Sequence, residues 1–124
     1  VAAETAVAMP LLLLLILLAV QFGIWAHTVH VAQATAAEAL SAARLDGATA
    51  ADGQARAQAV RQQLGPHTLA DAHIQITRGP DTVTVQVTGT APRVVPLPFL
   101  HLPVRAHAAG PVERFRPNTV PTTP

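Results

Sequence analysis

Between Glu4 and Glu38 the chain runs for 33 residues without one charged side chain. Within that interval residues 6–26 read AVAMPLLLLLILLAVQFGIWA, apolar apart from Gln21 and Gly23. About 20 apolar residues wound as an α-helix cross a hydrocarbon layer of roughly 30 Å. Trp25 falls at one end of the run, where an indole ring suits the boundary between lipid and water. The segment is long enough and apolar enough to span a membrane.

The charges that exist are gathered elsewhere, and they exclude several function classes. Charged residues make up 12% of the 124-residue chain, about half the usual share. The eight basic residues are all Arg and face seven acids, a net charge of +1. A pI near 9.3 on so small a surplus is no nucleic-acid footprint. The absence of cysteine excludes disulfide scaffolds, thiolate metal sites and cysteine nucleophiles.

Three readings compete for the apolar run. A cleavable secretory signal needs a positive leading region and a small-residue cleavage site. Ala32-Gln33-Ala34 supplies such a site, but no Arg or Lys precedes Arg44. A plain transmembrane anchor is equally short of a cytoplasmic basic cluster. The missing initiator Met agrees with a basic leader having been removed. The third reading centres on Glu4. A carboxylate at the edge of an apolar layer is costly unless paired, and its natural partner is an N-terminal ammonium, on the same chain or on a neighbour.

Those N-terminal residues carry a family resemblance. Ala2-Ala3-Glu4-Thr5-Ala6-Val7-Ala8, then Pro10-Leu11-Leu12-Leu13-Leu14-Leu15, resemble the start of a mature TadE-like pilin of the Tad (type IVc) system, in its actinobacterial form. Ala34-Thr35-Ala36-Ala37-Glu38-Ala39, Ala42-Ala43-Arg44 and the closing Pro111-Val112-Glu113-Arg114-Phe115-Arg116 extend the likeness. The glutamate stands fourth where such pilins usually place it fifth, and the cysteine pair of many relatives is absent.

The resemblance implies a structural subunit of a cell-surface filament, without enzymatic activity or cofactor. A prepilin peptidase would remove a short leader. The subunit would wait in the cytoplasmic membrane until an assembly platform and its ATPase drew it into an extracellular polymer of itself. Val1, Glu4 and Pro10 would act in assembly. Leu11, Leu12, Leu13, Leu14, Leu15, Ile16, Leu17, Leu18, Phe22 and Trp25 would pack first in lipid and then in the filament core. The alternative is a bitopic membrane-anchored accessory or binding protein with a β domain outside. A secreted domain with its signal still attached, cleaved near Ala34 or Ala36, is a third possibility.

The rest of the chain predicts an α+β fold. Residues 27–45 contain no Gly or Pro, so one helix is expected over 5–45, on the order of 60 Å long. Ala32, Ala36, Ala39 and Ala43 line one face, at a spacing that lets a second backbone approach closely. Pro10 removes the donor that would bond Ala6 and is expected to kink or loosen that turn. Asp46-Gly47 and Asp52-Gly53 bracket a break, followed by a short helix over 54–64 with Ala57, Val60 and Leu64 as its stripe, ended by Gly65-Pro66.

Period-two alternation predicts strands at 72–77 and 82–90 around the turn Arg78-Gly79-Pro80-Asp81. Val94, Val95, Leu97, Phe99, Leu100 and Leu102, in a proline-punctuated loop over 91–103, are available to cover a core. A third strand is expected at 104–109 and a fourth at 112–115, giving a small antiparallel sheet packed on the projecting helix. The organisation is thus 1–26 apolar helix half, 27–64 projecting helix and second helix, 65–116 β region, and 117–124 a flexible Pro/Thr tail.

Other chemistry is thin. His27 and His30 share a helix face but no carboxylate completes a metal motif, and His67, His73, His101 and His107 are scattered. No phosphate-binding Gly loop, nucleophile elbow or acidic pair is present. Arg114-Phe115-Arg116 offers two cations, too few to bind nucleic acid directly.

Overall fold

A computed structural model describes residues 1–65, 67–94 and 102–113. The chain is one long helix with a small two-layer head built around its second half. Helix α1 spans Ala2–Ala43 and runs unbroken through Pro10. Helix α2 spans Ala50–Leu64. Strands β1 (Ala70–Arg78), β2 (Thr82–Thr90) and β3 (Pro103–Pro111) form an antiparallel sheet in the order β1-β2-β3.

The helices cover one face of the sheet. Val83, Val85 and Val87 of β2 and Val104 and Ala106 of β3 are buried there, against Ala32, Ala36, Ala39 and Ala43 of α1 and Ala57 of α2. The opposite face is polar: register aligns His73 with Thr88 and Arg105, and Gln75 with Gln86 and His107. The alternation in the sequence therefore marks the two sides of the sheet. The core is built of alanine and valine, so its layers lie close together.

The sheet runs along the helix. At one end, helix residues 21–28 meet residues 68, 92–94 and 103. At the other, Arg78 Nη1 donates to the carbonyls of Ala43 (2.6 Å) and Leu45 (2.9 Å), and Glu113 N donates to Arg44 O (2.7 Å). Residues 21–44 of a helix measure about 35 Å and a nine-residue strand about 30 Å, so strand and half-helix match in length. The Arg78 guanidinium also supplies donors and positive charge at the carbonyl end of α1.

Helix α2 begins four residues before the expected position. Thr49 caps it: its hydroxyl accepts from Asp52 N (3.3 Å), and the Asp52 carboxylate accepts from Thr49 N (2.7 Å). Asp52 is thus a capping-box residue, and Asp52-Gly53 lies inside the helix rather than breaking it. Gly53 is buried where α2 crosses α1; a Cβ there would meet Ile76 Cδ1 at 2.7 Å and Ala43 Cβ at 2.9 Å. In the expected stripe Ala57 and Val60 are buried, but Leu64 is exposed, because the helix ends at this turn.

The two predicted strands of the hairpin and the third strand are present: β2 spans the expected 82–90, and β1 and β3 are each longer than expected. A bulge in β1 lies opposite Gly89: Ala70 aligns with Thr90 and His73 with Thr88. Asp71, inside it, has φ 49°, a backbone region that Asp tolerates better than most residues. Leu69, 1% exposed, packs onto Gly89, where a Cβ would come within 2.7 Å of its Cγ. Val112 and Glu113 follow β3 without extending it into a fourth strand; Arg114 and Phe115 lie outside the described residues. In the 91–103 loop, Ala91 is buried and Leu102 packs on the core, whereas Val94 is exposed. Val95, Leu97, Phe99, Leu100, His101 and the 117–124 tail lie outside the described residues.

Candidate functional site

The distinctive feature of the molecule is the half of α1 that its own head leaves bare. Residues 1–20 are exposed, Leu18 alone being half-buried. Leu11, Leu12, Leu13, Leu14, Leu15, Ile16 and Leu17 all remain 39–57% exposed. They follow one another around the helix, so every side of it is apolar. A helix that is apolar all round belongs in a core or a membrane, and here the head supplies no core for it. At 1.5 Å per residue the bare part is about 30 Å long, the thickness of a bilayer's hydrocarbon layer.

A collar of polar bonds sets where the bare part ends. Gln21, 2% exposed, donates from Nε2 to Pro92 O (2.9 Å) and accepts at Oε1 from Val94 N (2.7 Å). One turn on, Trp25 Nε1 donates to Pro103 O (3.3 Å). The buried Thr28 hydroxyl donates to Ile24 O (2.8 Å) and lies 3.3 Å from Thr68 O. Three loops of the head are thereby tied to one face of the helix. Amide and hydroxyl groups in an apolar stretch are costly unless bonded, and here the Gln21 amide is bonded by the head and the Thr28 hydroxyl by the Ile24 carbonyl of its own helix.

The structure divides the predicted residues between two environments. Val1, Glu4, Pro10 and the leucine run lie on the bare half. Phe22, 61% exposed, points away from the collar, whereas Trp25 is half-buried against the head core. Glu4 makes no hydrogen bond or ion pair with Val1 or any other described residue. Thr5 Oγ1 instead donates to Val1 O (3.3 Å).

Gln21 and Thr28 were not among the expected site residues, although a signal for them exists. Positions 21, 25, 28, 32, 35, 39 and 43 are spaced by fours and threes, and all seven face the head. The alanine stripe read from residue 32 onward is the upper part of this longer seam. Thr35 is buried within it and bonds back to Val31 O (2.8 Å).

Among the described residues no three His, Asp or Glu side chains gather to hold a metal ion, and no pocket opens. Two ion pairs lie at the periphery: Arg56 with Glu38 (2.9 Å) ties α2 to α1, and Arg44 approaches Glu113 (3.5 Å).

Residues 1–40 match the family model described as TadE-like protein. This N-terminal segment is TadE-like. The matched stretch takes in the bare half of α1, the collar and most of the seam, and stops before α2 and the sheet. No curated protein and no solved structure matches the chain. The likeness of this segment to TadE-like proteins, with the bare apolar helix, suggests a Tad pilus-associated, pilin-like protein with an N-terminal membrane helix.

Proposed function

We propose that this chain is a pilin-like structural subunit of a type IV, Tad-type cell-surface filament. Its N-terminal helix holds it in the cytoplasmic membrane and then polymerises it in the extracellular filament. The observation that carries the reading is the bare, all-round apolar half of α1 on a head whose own core is complete without it. Such a helix needs a surrounding at both stages: lipid before assembly and copies of itself after.

The leucine run changes its solvation little when it moves from lipid to apolar neighbours, so packing and polar contacts must select the assembled state. Glu4 is the residue suited to that selection. Two unit charges 4 Å apart attract by about 1 kcal/mol in water and about 4 kcal/mol at an effective dielectric of 20. A buried carboxylate left unpaired loses several kcal/mol. Pairing with the N-terminal ammonium of a neighbouring copy, formed when a prepilin peptidase removes a leader, penalises every register except the one that brings the two together. Pro10 leaves the Ala6 carbonyl without its helical donor, a local freedom with which a packed helix adjusts. An assembly platform and its ATPase would supply the work of extraction.

Electron microscopy of filaments sheared from cells, with mass spectrometry of their subunits, tests this reading. Filaments containing the chain are expected. A chain that stays wholly in the membrane fraction of piliated cells would instead be a bitopic anchored accessory protein.

A further inference from the structure

The collar fixes the head's height above the bare helix, and the charges of the head are sorted along that height. At the end away from the bare half, around the carboxyl end of α1, the four acids Asp46, Asp52, Asp81 and Glu113 outnumber the two cations Arg44 and Arg78. At the collar end the cations dominate. Arg93 is exposed in the loop whose neighbours on either side, Pro92 and Val94, are both bonded to Gln21. Arg105 is exposed on the outer face of the sheet, two residues from the Pro103 carbonyl that receives Trp25. Asp71, in the β1 bulge, is the one carboxylate of this end among the described residues.

Gln21 holds Arg93 at the level where the 20-residue bare helix ends, and that helix is as long as the hydrocarbon layer is thick. With residues 1–20 in the bilayer, Arg93 is therefore placed at the headgroups, and the exposed Val94 beside it at the boundary of the acyl chains. We propose that the collar end of the head is a seat for anionic lipid headgroups, with Arg93 contacting their phosphates and Arg105 adding longer-range attraction. The inference rests on the membrane-helix reading above. It adds that the collar end of the head touches the bilayer and that acidic lipid strengthens this contact. A basic residue near an anionic membrane surface contributes an attraction worth about fivefold in occupancy. The seat is filled while the subunit waits in the membrane and is vacated on assembly.

The test uses the full chain in vesicles, with nitroxide labels at single cysteines, which the cysteine-free sequence makes unambiguous. Leu14→Cys reports the span and Val94→Cys reports the seat. Vesicles are phosphatidylcholine alone or phosphatidylcholine with one part in three of phosphatidylglycerol. The Leu14 label is expected to be shielded from a water-soluble relaxation agent in both. The Val94 label is expected at headgroup depth, its exposure to that agent falling about fivefold with phosphatidylglycerol. Arg93→Gln should abolish most of that fall, and high salt should weaken it. A Val94 label in bulk water, or one indifferent to phosphatidylglycerol or to Arg93→Gln, overturns the seat while leaving the span intact. A Leu14 label open to water overturns the membrane helix itself. Arg93 is exposed, so its variant keeps the fold, and an unchanged circular dichroism spectrum verifies this.

Discussion

The Gln21 side chain bonds both Pro92 O and Val94 N, clasping the loop on either side of Arg93 to the last turn of α1 before the bare segment. A lone amide in an apolar helix thereby becomes the boundary between head and free helix. Gln21→Leu leaves the Val94 N–H and the Pro92 carbonyl without their side-chain partner. The expected loss is about 1–3 kcal/mol of head stability, read by urea unfolding in detergent. Faster amide hydrogen exchange at Val94 should accompany it.

Gly53 permits the crossing of α2 over α1. Because an added Cβ would come within 2.9 Å of the Ala43 Cβ, Gly53→Ala should destabilise the head by about 1–3 kcal/mol despite the better helix propensity of alanine. At an exposed helix position such as Gln58 the change to alanine should be near neutral. Thermal unfolding of the two variants separates packing from propensity.

The Arg78 guanidinium closes the far end of the head by bonding the Ala43 and Leu45 carbonyls. Arg78→Met keeps much of the aliphatic stem but removes the donors. A loss of about 1–3 kcal/mol is expected, with fraying of α1 beyond Leu40 seen by hydrogen exchange. Loss of the exposed pair Arg56–Glu38 should cost at most about 1 kcal/mol.

Much of the fold was legible because its signals are local. The leucine run, the uninterrupted alanine-rich continuation and the alternation of Val83, Val85 and Val87 each report their own element. The start of α2 was misplaced because Asp52-Gly53 reads locally as a turn. Its actual roles, a capping box with Thr49 and a close crossing against Ala43, depend on where the chain goes next. Leu64 failed as a core residue because the helix ends there. The collar was harder to see: Gln21 reads as a blemish in an apolar span until its partners, more than 70 residues away, are brought beside it. The role expected of Glu4 and the leucines came from a family resemblance; what the structure adds is that the leucines stay exposed, outside the core of the head.

Glu4 lies three residues from Val1, outside the head and remote from its core. Glu4→Ala should therefore leave head stability and membrane insertion unchanged, by unfolding and by carbonate extraction. Incorporation into filaments should fall at least about tenfold, the scale of one lost partly buried charge contact. Equal filament yield and subunit content in the variant would remove the role assigned to Glu4.

The central claim is that residues 1–20 pass from lipid into contact with copies of themselves, and inter-subunit cross-linking tests it most directly. With no native cysteine to interfere, Leu13→Cys can be oxidised in intact sheared filaments and in isolated membranes. The account predicts disulfide-linked dimers and larger species in the filaments, and chiefly monomer in the membranes of assembly-deficient cells. A chain that never leaves the membrane fraction, or filaments whose subunits fail to cross-link at position 13 and at neighbouring positions around the helix, would contradict it.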